Sequence, residues 1–316
     1  AFVFCFTLFN YNIHYPTLYA FGQEITEKEN YSKTNSLLEV MGQSINVFSG
    51  AIAVLLIEGI NVDIWGHNIQ IQSWEIHEIF LMDGITYIIA MSLIYFIKYV
   101  PTVVNVISKE PVLVQLKEGI QYLKKRPAIF HFGNASYTVF IFVLISTHLL
   151  WPIYVEKHLG ELGNIYAITK MNYAAGALFA GFFISLIFRK SNIILSIIVL
   201  TIIALIAFFV LSVTHSIYVL FGLAVSLGIA NAGIRIQRIT YLFNHVPNNI
   251  IGRTNSVFQS INILLRSIFI GLFSWTFFSE GSNITWAFVI AGGVTVLSLL
   301  PLIFNYTKLR DLKIEA

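Results

Sequence analysis

Charge and sulfur are what this sequence has least of. Only 11% of its 316 residues are charged while 57% are hydrophobic, whereas soluble domains carry about a quarter charged residues. That scarcity excludes water as the solvent for most of the chain. A single cysteine, Cys5, excludes an internal disulfide, and it has no neighbouring metal ligands, so redox and zinc chemistry drop out. No GxxxxGK[ST] phosphate loop and no HExxH pair occur, and no nucleophile has a convergent base. A nucleotide-driven machine and a membrane-embedded acyltransferase or protease therefore lack their minimal residues. The chain is not expected to be an enzyme, and no cofactor and no metal are expected. The net charge of +3 comes from loop Lys and Arg, without a nucleic-acid signal. The first residues, AFVFCFTLF, carry no initiator Met, basic n-region or cleavage site, and they read as a truncation inside an apolar segment.

What is abundant is apolar length. Mean hydropathy is +0.76, and a hydrocarbon core needs about 20 apolar residues per helical span. Windows near 1–22, 36–58, 79–100, 128–153, 164–188, 192–213, 216–243, 256–278 and 284–306 predict about nine spans in an all-α bundle. Phe (27) and Tyr (15) are plentiful, as lipid-facing surfaces and headgroup belts require. Alternate connections carry the cations: Lys28 and Lys33; Lys98 to Arg126; Arg189 and Lys190; Arg238 and Arg253; Lys308 to Lys313. The other connections hold Lys157 as their only Lys or Arg and carry Glu58, Asp63, Glu75, Glu78, Glu156, Glu161 and Glu280. The positive-inside rule makes the first set cytoplasmic, with the C-terminus inside and the chain in the inner (plasma) membrane. His67, Glu75, His77 and Glu78 crowd one outer loop, but their spacing fits no compact metal site.

The longest inner connection contains Leu113, Leu116, Ile120 and Leu123 at helical spacing against Lys117, Lys124 and Lys125. It predicts an amphipathic helix on the membrane surface, linking two bundles. Lys33, Thr34, Asn35 and Ser36 match Arg253, Thr254, Asn255 and Ser256 at an offset of 220 positions, each copy opening a span from the cytoplasmic side. Parallel halves related by an axis along the membrane normal have this property. Residues 1–100 are then the remainder of an N-terminal six-helix bundle, 101–127 the linker, and 128–316 a C-terminal six-helix bundle with a short tail. About three helices of about twelve are expected upstream.

These segments resemble a known family. VPNNIIGRTNSVFQS, from Val246 to Ser260, resembles the connection between the tenth and eleventh helices of major facilitator superfamily exporters related to the enterobactin and macrolide efflux proteins. LKEGIQYLKKRP resembles their interdomain segment, and YPTLYAFGQEITEKENYSKTNSLLEV their fourth helix and the loop after it. The likeness extends over essentially the whole chain. It implies a major facilitator fold and export of a small organic solute by alternating access, acting as a monomer with protons as the candidate coupling ion. The family's glycine-rich antiporter pattern is only partly present, as Gly42 and Gly50 without the following Gly-Pro, so motif alone does not secure antiport.

Polar groups inside spans are costly and usually face a cavity or a partner. Asn255, Gln259, Asn262 and Arg266 follow i, i+4, i+7, i+11 and share one helical face. The repeat maps them onto Asn35, Glu39, Gly42 and Asn46, and Arg235 lies deep in the small-residue segment GLAVSLGIANAGIRIQR. Two readings stand for Asn35, Glu39, Asn46, Arg235, Gln259, Asn262 and Arg266: they line a substrate cavity, or they bond neighbouring helices. Gly176 with Ala180, and Ala177 with Gly181, are small-xxx-small pairs that predict close helix approach. A membrane sensor or assembly partner without transport activity has the same composition and is separated from a transporter by flux measurements.

Overall fold

The computed structural model describes residues 14, 17–58, 60–64, 67–98, 112–161, 163–188 and 191–312. A short helix α1 (17–25) precedes a 3-10 turn (Lys28–Asn30) and α2 (Tyr31–Glu58). An antiparallel hairpin follows, β1 (Ile60–Ile64) with β2 (His67–Ile71), in register Val62 opposite Ile69. The remaining elements are α3 (Ile76–Tyr95), α4 (Val112–Lys125), α5 (Pro127–Ile145), α6 (Trp151–Ile153), α7 (Gly163–Ile187), α8 (Ile193–Leu211), α9 (Ile217–His245), α10 (Asn248–Phe273), α11 (Ile284–Phe304) and α12 (Tyr306–Arg310). Among the described residues seven helices are long and apolar enough to cross a membrane. The 28 residues of α2 reach about 42 Å, also enough for a span. The chain divides into two compact units, one of residues 1–40 with 105–316 and one of residues 41–104.

The smaller unit holds α3 and the hairpin, which stands where the sequence predicts a polar loop. Glu78 accepts a hydrogen bond from the backbone N–H of Glu75 at 2.9 Å, closing the first turn of α3. Glu75 also pairs with His77 at 3.1 Å, so three of the four residues that crowd that loop serve the helix start.

In the larger unit the rod from Pro127 to His158 is continuous but not uniform. Two π turns, Ser146–Leu150 and Tyr154–His158, flank α6. Pro152 cannot donate to the carbonyl one turn back, at His148, and the helix widens around that missing bond. Gly160, at φ 69°, then ends the rod in a left-handed conformation suited to glycine. The Tyr154 hydroxyl (2.6 Å) and His158 Nε2 (2.9 Å) both bond the carbonyl of Thr214, tying the rod to the α8–α9 connection.

Helix α4 is amphipathic, and part of its apolar face packs on protein. Leu123 is buried, and Gly119 lies so close to the backbone of Arg253 on α10 that a Cβ would stand 2.7 Å from its carbonyl oxygen. Glu118 forms an ion pair with Arg253 across the same contact. Arg253 is thus in the first turns of α10, which begins eight residues before the predicted position, and not in a loop. Arg238, counted above among the loop cations, is 2% exposed inside α9. A guanidinium there needs partners, and it has them: it lies 3.6 Å over the Tyr137 ring and donates to the Ser136 carbonyl at 3.0 Å.

Small residues set the tightest contact. A Cβ at Gly176 would collide with the Val225 carbonyl and one at Gly228 with the Tyr173 carbonyl, so α7 and α9 touch backbone to backbone. Gly293 on α11 has nothing within 4 Å. We therefore expect Gly228→Ala to destabilise the protein by about 1–3 kcal/mol through overpacking, and Gly293→Ala to leave stability unchanged or slightly higher. Thermal unfolding in detergent checks both; equal melting temperatures for the two variants would refute the close contact.

Candidate functional site

Helix α9 carries Asn231, Arg235 and Arg238 at i, i+4 and i+7, so one face of an otherwise small and apolar helix is polar. Each has a partner from another element. Asn231 donates to the Tyr173 hydroxyl at 2.7 Å, linking α9 to α7. Arg235 donates to a Glu39 carboxylate oxygen at 2.7 Å, with 21% and 5% of the two side chains exposed. Arg238 engages α5 through Ser136 and Tyr137.

The Glu39–Arg235 pair is the innermost rung of a ladder between the segment 17–40 and α9. One turn back along α2, Asn35 Nδ2 donates to Thr240 Oγ1 at 3.1 Å. Tyr31 meets the Phe243 ring edge-on at 5.1 Å. Gln23 Nε2 reaches the carbonyls of Phe243 (2.8 Å) and Val246 (3.1 Å). The first carbonyl belongs to the last turn of α9, where helical acceptors have no partner of their own, and the second to the residue that follows the helix. Residue numbers rise on one side as they fall on the other, so α2 and α9 run antiparallel. The opposite flank of α2 meets α7: Ser32 bonds Ser185 at 3.3 Å, Ser36 touches the same hydroxyl, and Val40 fills the space left by Gly181. The first part of α2 thus occupies a groove between α7 and α9.

Of the sequence-derived candidates, the structure brings Asn35, Glu39 and Arg235 together. The stripe on α10 separates by burial. Asn255 and Asn262 are 6% and 1% exposed, with neither amide atom of Asn262 hydrogen-bonded, while Gln259 and Arg266 are half-buried. The side chain of Asn46 lies outside the described residues. Sequence reasoning missed Gln23, Tyr137, Tyr173, Ser185, Asn231 and Arg238. Two of these had a signal: Asn231 and Arg238 lie on the Arg235 face at helical spacing, inside a predicted span. Among the described residues no group of three or more His, Cys, Asp or Glu could hold a metal ion.

A family profile described as Major Facilitator Superfamily matches residues 1–269. The chain belongs to the Major Facilitator Superfamily. It is a multi-pass membrane protein of a transporter family, and the polar ladder just described is part of its helical framework. No curated protein matches it. Among 11 matching chains of solved structures is "Crystal structure of a bacterial homologue of iron transporter ferroportin in outward-facing state", with TM-score 0.61 and 13% identity over 90% of this chain. That likeness supports the fold, and this chain spans 66% of that structure's length.

Removing one member of a buried ion pair costs about 3–5 kcal/mol because the other charge stays behind. Glu39→Gln and Arg235→Gln should each lower stability measurably, and the double variant should lose clearly less than the two together. A double-mutant cycle on unfolding in detergent measures this; additive losses would mean that the two side chains act independently.

Proposed function

We propose that this chain is part of a secondary active transporter that exports a small organic solute across the plasma (inner) membrane by alternating access. Residues 1–100 are the remaining part of one bundle, 101–127 the cytoplasmic linker and 128–316 the second bundle, with the C-terminus in the cytoplasm. It works as a monomer, and protons are the candidate coupling ion.

The observation that carries the reading is the ladder from Gln23 to Glu39. It fastens α1 and α2 to α9 and α7 at the end where the basic connections lie. In a rocking pair of bundles, such a contact between segments far apart in sequence closes one entrance and has to part for the other state. It is built for that. Its outer rungs are neutral hydrogen bonds worth about 1 kcal/mol each, and its single charged rung is partly open to solvent through Arg235. Asn35, Glu39 and Arg235 are then gate residues at the cavity floor, and Asn46, Gln259, Asn262 and Arg266 are cavity-lining candidates on the two pseudo-symmetric helices. Export as the direction rests on the likeness of the Val246–Ser260 and Leu116–Pro127 segments to enterobactin- and macrolide-type exporters.

The test uses the full-length protein in liposomes with a panel of small organic solutes. In a Cys5→Ser background, cross-linking Ser36→Cys to Ser185→Cys should stop flux of any transported solute, and reduction should restore it. Flux unaffected by a complete cross-link would refute the gate, and no flux of any solute would favour the sensor or assembly role.

A further inference from the structure

The polar turn opened by Pro152 does not take part in the ladder, and it has a companion set of charges. His148 projects from the π turn Ser146–Leu150 and is exposed. Tyr166 on α7 donates its hydroxyl to the carbonyl of Thr147, one residue away, at 2.8 Å. Lys170, one helical turn further along α7, lies 5.6 Å over the Tyr166 ring. This chain of contacts anchors Lys170 beside the π turn. Arg266 stands on α10, which packs against α5, and the charges of Lys170 and Arg266 both bear on His148. Three helices thus bring two permanent cations and a histidine together.

Their depth agrees. Counted from the ends of α5, α7 and α10 that adjoin the basic connections, His148, Lys170 and Arg266 stand about 32, 26 and 27 Å along their helices. They therefore share one level, on the far side of the membrane midplane from the ladder.

Like charges assembled on apolar helices repel and are costly, and proteins keep such arrangements where a counter-charge arrives. None is resident here: among the described residues neither Lys170 nor Arg266 forms an ion pair, and Glu39 is engaged by Arg235.

We propose that His148, Lys170 and Arg266 together receive the anionic group of the transported solute, so that the cargo class is organic anions, carboxylates foremost. The inference rests on the transporter reading above and narrows it. Arg266 supplies a planar fork that matches a carboxylate at two points, Lys170 a compact charge, and His148 a third donor on the third helix.

Binding and transport separate the two claims. Full-length protein in a neutral detergent is titrated calorimetrically with 1-naphthoate, 1-naphthamide and 1-naphthylmethylamine, which share one ring system and differ in charge. We expect the acid to bind at least about tenfold more tightly than the amide or the amine. Arg266→Gln and Lys170→Gln should each reduce that preference to about threefold or less, with unchanged melting temperature, and Arg266→Lys should retain part of it. The amide or amine binding as well as the acid, or no saturable binding of the acid, would overturn the assignment. So would competition by short-chain phosphatidylglycerol but not by soluble carboxylates, since the site would then hold a lipid headgroup. Acid-selective binding without flux in liposomes would leave this site standing and defeat the transporter reading. Flux of neutral or cationic solutes without acid selectivity would do the reverse.

Discussion

A carboxylate and a guanidinium that face each other inside a membrane protein have no good alternative to each other. Either charge alone in hydrocarbon costs about 2.5–3.5 kcal/mol on insertion scales, and stranding one by removing its partner costs about as much again. Glu39 is almost wholly buried, so α2 has to lie where Arg235 of α9 can reach it. The surrounding contacts follow from that requirement. Asn35 falls one turn away, opposite Thr240, Gln23 reaches the open carbonyls at the end of α9, and Ser32 and Ser36 meet Ser185 on the other wall. The groove itself exists because Gly176 and Gly228 let α7 and α9 touch through their backbones, and Gly181 leaves room for Val40.

Three arginines on neighbouring helices show three ways of keeping a guanidinium at a helix contact. Arg235 has a carboxylate. Arg238 has an aromatic face and a carbonyl, which suits a group that is deeper still. Arg253, near a helix start, has Glu118 of α4 and so joins α10 to α4. Arg266 has none of these solutions among the described residues, and this difference is what separates a framework cation from one that awaits an external charge.

Much of the fold was legible in composition and period. The helical character, the amphipathic segment at 112–125 and the close approach at Gly176 and Gly181 follow from hydropathy windows, 3.6-residue spacing and small-xxx-small pairs. What failed did so for physical reasons. Arg238 was counted with the loops because a loop is the ordinary place for a cation, and nothing in a linear pattern announces that Tyr137, about a hundred positions earlier, would offer its ring. The polar stripe on α10 shares a face by period, yet packing buries Asn255 and Asn262 and leaves Gln259 and Arg266 half-open. Periodicity gives the face of a helix but not what covers it. The π turns around Pro152 were likewise not legible, because a hydropathy window over 128–153 runs through the proline without registering its missing hydrogen bond.

The central claim is that the Glu39–Arg235 pair holds α2 in the groove between α7 and α9, and that parting them is the movement of this protein. Spin labels at Lys33 and Leu186, both exposed and on facing helices, report that movement directly in lipid. The account predicts one short distance in the otherwise native full-length protein and a second, longer population in Glu39→Gln. Identical distance distributions with and without the Glu39 carboxylate would contradict it.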